Sequence, residues 1–189
     1  LGAAEISFTH GVNLSIEKAK QIGEAAKNFG ISLSIHAPYY INLASEDKSK
    51  RTASKKRIFD SCERGHYLGA NYVVFHPAYY GKLSKEEVYE IVKEVIIEIQ
   101  EALDESGFGR VNLCPEVTGK ATQFGDVEEL VSLSRETKCG VCIDFAHVYA
   151  RNIGKIDYDY VCKLIRNINS LTCHFTGIEY TDKGERRHI

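Results

Sequence analysis

Five side chains that can bind a metal ion recur along the sequence at intervals close to one βα unit. They are His36, His76, Glu116, Asp144 and His174, and their separations are 40, 40, 28 and 30 residues. Each stands at the end of a short apolar run that is typical of a buried strand. One such histidine is more often a hydrogen-bonded structural residue than a ligand, but five residues at these intervals predict a shared metal site.

Two further histidines extend the predicted cluster. Asp144-x-x-His147 places a carboxylate and an imidazole just past one strand, and His188 follows the polar segment TDKGERR, which we interpret as a loop. His10 also follows a strand end, where a structural role is the simpler interpretation. His66 lies in a segment of helical period and is predicted to be exposed.

The mixture of imidazoles and carboxylates favours zinc, with manganese or iron as alternatives. The set exceeds what one four-coordinate ion needs, so it predicts two or three ions with Glu116 as the bridging carboxylate. Ions ~3.5 to 4 Å apart can stabilise the attacking and leaving oxygens of a phosphoryl displacement, with a metal-activated hydroxide as the nucleophile. The residues therefore predict phosphodiester hydrolysis, with Glu116 as the catalytic residue.

Six apolar segments that could form strands must position these side chains, and they cover residues 4–8, 31–37, 71–77, 111–116, 140–144 and 171–176. Stretches of helical period separate them. Ser15 and Gly30 are a start and a stop signal for the first helix, and Ser84-x-x-Glu87 and Asp126-x-x-Glu129 are capping boxes. This alternation predicts βα units and a parallel sheet.

Two parallel architectures compete at this point. An open doubly wound sheet usually carries a glycine-rich phosphate loop after its first strand, and the sequence contains neither G-x-G-x-x-G nor a Walker loop. A (β/α)8 TIM barrel uses roughly 31 residues per unit, so 189 residues hold about six units. We therefore predict a single α/β barrel domain over residues 1–189 that lacks its first and last strands.

Composition limits the partners. The 24 Lys and Arg residues against 26 Asp and Glu give a net charge of -2, so nucleic acid would have to be attracted by local groups or metal ions. No apolar run approaches the ~20 residues of a membrane span, and no signal peptide is recognisable. We expect no membrane partner, infer no protein partner, and predict a cytoplasmic location.

The six cysteines fit a reducing compartment. Cys114, Cys142 and Cys173 lie in strand-like segments and are predicted to be buried thiols that pack as small apolar side chains. Cys139-x-x-Cys142 has the spacing of a zinc or redox motif, but a single pair inside the strand-like segment CGVCID favours a buried strand.

The segments HAPYYINLAS, VVFHP, CPEVTGK, CIDFAH, CHF and GERRH occur in the order found in the endonuclease IV family, and the chain resembles that family from about Ile31 to His188. These abasic-site endonucleases belong to the wider xylose-isomerase-like barrel superfamily, and the closest resemblance is to shortened, archaeal-type members. The resemblance implies cleavage of damaged duplex DNA 5′ to an abasic site, which leaves a 3′-hydroxyl for repair synthesis.

The resemblance also implies how the ions would be held. Three groups of ligands would each bind one zinc: His36, His76 and Glu116; Glu116, Asp144 and His174; and His147 with His188. Tyr39 and Tyr40 match the loop that in the family inserts into DNA beside the flipped-out sugar. Packing of two aromatic rings over the barrel mouth is the alternative for this pair.

Three features depart from the family. The carboxylate that the family carries on its eighth strand has no counterpart, and the segment FTHGVNLS offers no arginine for a second DNA-penetrating loop. Arg186 stands where the family has an aspartate two residues before the last histidine. Its guanidinium would repel a metal and favour a phosphate, unless a shift of one residue brings Glu185 to the vacancy. A solvated surface arginine is the remaining interpretation.

Two other functions fit part of the pattern. Sugar isomerases and epimerases of the same superfamily hold one metal, and Glu116, Asp144 and His174 would satisfy that requirement. That activity does not need His36 and His76, so these two histidines favour the nuclease. A non-catalytic barrel with a degenerate or structural metal cluster is the third alternative.

Overall fold

A computed structural model describes residues 1–189 of the chain. Its helices are α1 (Ile16–Asn28), α2 (Lys48–Leu68), α3 (Lys85–Glu105), α4 (Val127–Thr137), α5 (Phe145–Arg151) and α6 (Tyr158–Ile165). Its strands are β1 (Ala3–Ser7), β2 (Ser32–His36), β3 (Tyr72–Phe75), β4 (Ala78–Tyr79), β5 (Asn112–Pro115), β6 (Gln123–Phe124), β7 (Val141–Asp144), β8 (Leu171–His174), β9 (Ile178–Thr181) and β10 (Gly184–His188). None of the helices combines the length and apolar character that a membrane span requires.

The parallel strands follow one another in the order β1-β2-β3-β5 and β7-β8, and a parallel bridge between Glu116 and Cys142 connects the two groups. These six strands are the six that the sequence predicts, with ends that differ by at most two residues. In register, Phe75 lies opposite Pro115 and Asp144 lies opposite His174. The strands therefore end at a common edge, where their last side chains meet.

The helices begin and end where local chemistry directs them. Ser84 with Glu87 and Asp126 with Glu129 form both predicted capping boxes, and each pairs side chains with free backbone N–H groups of the first turn. The backbone of Gly30 has a φ of 66°, a left-handed conformation that ends the first helical segment. The prediction of helices between the strands is confirmed.

Burial of the cysteines agrees with the predictions at three positions and not at Cys173. Cys114, Cys139 and Cys142 are buried. Cys142 lies in the buried strand β7, and Cys139 lies just before that strand. Cys173 is exposed, so its predicted burial is wrong. It lies on β8, which pairs with β7 on one side only, and its side chain lines an open pocket.

Two further predictions are corrected. The segment TDKGERR is not a loop, because β9 and β10 pair as an antiparallel hairpin through it. His66 lies in α2 as predicted, but it is half-buried and not exposed. Its ring packs against Phe108, with 5.1 Å between the ring centroids, because α2 turns this face toward the end of α3.

Candidate metal centre

Glu116 lies at the centre of the site, immediately after β5, and its side chain is 1% exposed. Its Oε2 atom lies 3.0 Å from Nε2 of His36 and 2.7 Å from Nε2 of His76. Its Oε1 atom lies 2.6 Å from Nδ1 of His174. The two oxygens of one carboxylate thus face different imidazoles from β2, β3 and β8.

The charges in this cluster depend on one another. Burial by itself would raise the pKa of the Glu116 carboxyl, but hydrogen bonds from His174, His36 and His76 outweigh burial and hold that pKa well below its usual range. Burial would lower the pKa of His174, but hydrogen bonds to Glu116 and Glu5 raise it to about 10. The pKa of His36 is raised in the same way, against burial, by Glu116.

Backbone carbonyls fix the rings of two histidines. Nδ1 of His36 donates to the carbonyl of Ala37 at 2.8 Å, and Nδ1 of His147 donates to the carbonyl of Val117 at 2.8 Å. A carbonyl only accepts, so Nδ1 carries a proton in each ring and Nε2 is the nitrogen that faces the pocket; in His36 that Nε2 donates to Glu116. Metal-bound histidines are commonly oriented by such a hydrogen bond.

Asp144 connects the sheet to α5. Its Oδ1 accepts a hydrogen bond of 2.8 Å from the backbone N–H of His147 and so caps the helix. Its Oδ2 lies 4.0 Å from Nδ1 of His174, on the same side as Oε1 of Glu116. The cap explains why this strand ends in an aspartate that is 2% exposed.

A second cluster lies between α5 and the hairpin. Nε2 of His147 and Nε2 of His188 are 3.1 Å apart, and Nδ1 of His188 is hydrogen-bonded at 2.6 Å to Oγ1 of Thr176. Burial lowers the pKa of His147, which keeps this imidazole neutral. The 3.1 Å contact is a hydrogen bond at the border between the barrel and the hairpin: Nε2–H of His188 donates to the lone pair on Nε2 of the neutral His147, and Nδ1 of His188 accepts from the hydroxyl of Thr176.

These clusters share one pocket of about 740 Å³. It is lined by all seven predicted metal ligands, His36, His76, Glu116, Asp144, His147, His174 and His188, and also by Tyr39 and Arg186. Tyr40 does not line this pocket; its exposed ring stacks on His10, with 6.2 Å between the centroids. The structure therefore brings together every predicted residue except Tyr40.

Glu5 is the pocket residue that sequence reasoning missed. Its carboxylate lies 3.2 Å from Nε2 of His174 and accepts a hydrogen bond of 2.9 Å from Oγ of Ser34. The signal was present, since a glutamate inside the strand-like segment AAEISF is unusual unless it has a partner. Thr176 also lines the pocket and was not predicted. Glu185, which the sequence offers as the alternative to Arg186 near the last histidine, lines it as well.

The donor atoms fit divalent cations. Three groups of donors each lie within 4.8 Å of one another: His36, His76 and Glu116; Glu116, Cys142 and His174; and Asp144, His147 and His188. Imidazole nitrogens with carboxylate oxygens are ligands that zinc prefers. Cys142 is the weakest member, because its Sγ lies 3.9 Å from Glu116 and burial raises the pKa of its thiol well above the usual value. Asp144 is the better partner for Glu116 and His174.

Curated relatives include two informative proteins. An uncharacterized protein of Methanocaldococcus jannaschii is 39% identical over 199 aligned positions, which cover 100% of this chain and 71% of that protein. A probable endonuclease 4 of Aquifex aeolicus is 30% identical over 132 positions, which cover 67% of this chain and 46% of that protein. The match therefore spans about half the length of the endonuclease relative.

Solved structures with the same fold include an endonuclease and an epimerase-like protein. Endonuclease IV from Thermus thermophilus is 29% identical with a TM-score of 0.67, covering 89% of this chain and 62% of its own. A D-tagatose 3-epimerase-like protein is 22% identical with a TM-score of 0.75, covering 96% and 70%. A third structure, 16% identical with a TM-score of 0.72 and covering 98% and 66%, contains a bound zinc atom.

The last two likenesses show the fold alone, because their identities are low. A family model described as the xylose isomerase-like TIM barrel matches residues 1–183 of the chain. The predicted barrel fold is thereby confirmed, and the strand-end site lies at the face where such barrels place their active sites. The chain belongs to the xylose isomerase-like TIM barrel family.

Proposed function

We propose that the chain is a metal-dependent phosphodiesterase of the endonuclease IV type, which cleaves duplex DNA on the 5′ side of an abasic site. The position of Glu116 carries the proposal. One of its oxygens faces His36 and His76, and the other faces His174, which is the arrangement expected of a carboxylate between two ions. The identities of 30% and 29% with two endonuclease relatives support this activity.

Ions held by Glu116 with these histidines and Asp144 would supply the positive charge that phosphodiester hydrolysis needs, and zinc and manganese both suit the donors. The chain's own residues prepare that centre. Glu116 is buried and negatively charged, so it keeps the imidazoles of three strands at one point. Ala37 and Val117 hold the rings of His36 and His147 in place through their carbonyls.

The DNA would be contacted at the pocket rim. Tyr39 is 53% exposed beside His36, and Tyr40 is 62% exposed on the same loop. Arg57 donates a hydrogen bond of 3.0 Å to the carbonyl of Tyr40 and so supports the loop. We propose that these tyrosines stack against bases left unpaired when the sugar is flipped out, and that Arg186, which also lines the pocket, contacts a phosphate.

A sugar isomerase or epimerase is the second candidate, and one observation favours it. Glu116, Asp144 and His174 already provide the donors for a single ion on one side of the pocket. That activity does not account for His36 and His76, which both point Nε2 at the other oxygen of Glu116. We therefore rank it below the nuclease.

Reaction and metal content distinguish the two candidates. Metal-free chain is reloaded with zinc or manganese and incubated with a duplex that carries one abasic site, with the intact duplex as a control. We expect nicking 5′ to the abasic site, suppression by chelation, and two or three ions per chain by elemental analysis. One ion per chain with interconversion of ketoses, and no nicking, would establish the sugar enzyme.

A pair of histidine variants makes this test specific. His76→Ala should remove nicking and reduce the metal content, because His76 faces Glu116 at 2.7 Å. His66→Ala is the matched control, since His66 lies in α2 and lines no part of the site. We place this activity in the cytoplasm, where the six free cysteines would stay reduced.

A further inference from the structure

We propose that Glu185 supplies the carboxylate of the third metal position, beside His147 and His188. This inference rests on the proposed multi-metal centre and names a residue that completes it. One oxygen of Glu185 lies 3.6 Å from Nε2 of His147, and the other lies 3.9 Å from Nε2 of His188. The two imidazole nitrogens are 3.1 Å apart. Three donors from α5 and the hairpin thus converge on one small space.

The orientation of the rings supports this grouping. The proton on Nδ1 of His147 is held by the carbonyl of Val117, so the lone pair of His147 is on Nε2. Nδ1 of His188 is hydrogen-bonded to Thr176, so Nε2 is the nitrogen of His188 that faces His147. Both Nε2 atoms lie near the carboxylate of Glu185 and share one proton, which a bound metal would replace. Each ring also has the outer hydrogen bond that a metal-bound histidine usually has.

Asp144 is the competing carboxylate, because one donor each from Asp144, His147 and His188 also lie within 4.8 Å of one another. Its Oδ2, however, lies 3.6 Å from Nδ1 of His147, the nitrogen already bonded to Val117. Its Oδ1 is engaged by the backbone of His147 as a helix cap. Asp144 therefore lies on the Nδ1 side of the ring, and Glu185 lies on the side of Nε2, the nitrogen that would bind a metal.

A bulge in β10 brings Glu185 to this position. Glu185 pairs with Tyr180 and Arg187 pairs with Glu179, so Arg186 is one residue too many on β10. In a regular strand, residues 186 and 188 would share a face. The extra residue changes which side chains share a face, and the side chain of Arg186 is 70% exposed, 3.7 Å from Glu179.

Two glycines make room for this approach. The backbone N–H of Glu185 donates a hydrogen bond of 2.9 Å to the carbonyl of Gly119. A Cβ atom on Gly119 would lie 2.6 Å from Cβ of Glu185 and 3.1 Å from Cδ2 of His147. Gly184 has a φ of 92°, and a Cβ there would collide with the carbonyl of Gly119. The hairpin can dock only because both positions lack a side chain.

The loop that carries Gly119 is fixed from the other side by Arg151. Its Nη1 atom donates hydrogen bonds of 3.3 Å and 2.7 Å to the carbonyls of Thr118 and Lys120, which flank Gly119. Only 9% of this side chain is exposed. The backbone segment that positions Glu185 is therefore held in place by a buried arginine.

The test is a calorimetric titration of zinc into the metal-free full chain. Wild type should bind three ions, and Glu185→Gln should weaken one of them by at least the ~10- to 100-fold that loss of even an outer-shell partner costs. Gly119→Ala should weaken the same ion although it keeps every ligand, since its φ is not in the left-handed region and only Glu185 and His147 are displaced. Arg186→Ala should leave all three ions in place.

The outcomes separate this inference from the proposed function. Three ions of unchanged affinity in Glu185→Gln, or only two ions in wild type, would overturn the role of Glu185 even if abasic DNA is cleaved. Dependence of the third ion on Glu185 without DNA cleavage would uphold the site and refute the nuclease. Circular dichroism of each variant checks the fold, and Glu185→Gln, which preserves side-chain shape, decides the matter if Gly119→Ala unfolds.

Discussion

The two ends of the candidate metal centre are held in place by different parts of the fold. At the barrel end, Glu116 is 1% exposed and its histidine partners stand at the ends of parallel strands. At the hairpin end, the side chain of His188 is 42% exposed on a two-stranded ribbon. Parallel strands fix a side chain through the register of the whole sheet, whereas a ribbon can change its register with one bulge. The barrel end is thus the rigid part and the hairpin end the adjustable part.

Glu116→Gln is the change with the largest expected effect, because it removes the negative charge that faces His36, His76 and His174. We expect DNA cleavage to fall by at least about 1,000-fold, or ~4 kcal/mol of transition-state stabilisation. The fold should persist, since an amide occupies the same volume. Cleavage rate, metal content and circular dichroism are measured together, with exposed Glu101→Gln on α3 as the control. A native spectrum with a near wild-type rate would refute the bridging role.

Graded chelation tests the difference between the two ends directly. We expect an ion at His147 and His188 to leave first, because the side chain of His188 is 42% exposed and a chelator can approach it from solvent. Ions at Glu116 should leave last, because the carboxylate that would hold them is buried. Metal content is followed against time in a chelator for wild type and for His188→Ala. Simultaneous release, or earlier loss from the Glu116 side, would show that burial does not set the order.

Glu5→Gln should weaken metal binding at the barrel end, and only through His174. Glu5 contacts Nε2 of His174 at 3.2 Å, so it orients that ring without belonging to the predicted ligands. We expect the ion at His174 to bind about 10- to 100-fold more weakly, with the hairpin ion unchanged. Cobalt titration with absorption spectra gives both affinity and coordination, and Glu17→Gln on α1 is the control. An unchanged spectrum and affinity would leave Glu5 without a positioning role.

Arg186→Ala should have the smallest effect and should act on DNA only. The affinity for DNA falls as salt rises, and each phosphate that a cation neutralises makes the slope of log affinity against log salt steeper by about 0.9. Removal of the Arg186 guanidinium should therefore make the slope shallower by about that amount. The rate at saturating DNA should not change, because Arg186 is exposed and makes no contact with Glu116. Binding isotherms at several salt concentrations measure the slope, with exposed Arg110→Ala as the control. If the two variants behave alike, Arg186 is an ordinary surface residue.

Much of the barrel end could be predicted from the sequence. Apolar runs separated by helical stretches predict parallel strands, and the side chain after each run must then lie at a common edge. His36, His76, Glu116, Asp144 and His174 meet there for this reason. The capping residues Ser84 and Asp126 are equally local, because they satisfy backbone groups within one helical turn.

The hairpin end was decided by tertiary structure. A polar segment such as TDKGERR carries too little hydrophobic pattern to indicate strands, so β9 and β10 and the bulge at Arg186 were not foreseen. The predicted burial of Cys173 and the predicted exposure of His66 were wrong for the same reason, since the burial of each depends on which neighbours pack against β8 and α2.

The sequence by itself determined the residue types, their spacing and the strand ends, because these follow from local periodicity. Whether Glu185 or Arg186 faces His147 is a question of strand register. That register depends on contacts between distant segments, here the hydrogen bond of Glu185 to the carbonyl of Gly119 and the space left by two glycines. No local pattern encodes such a contact, so only the folded chain could decide it.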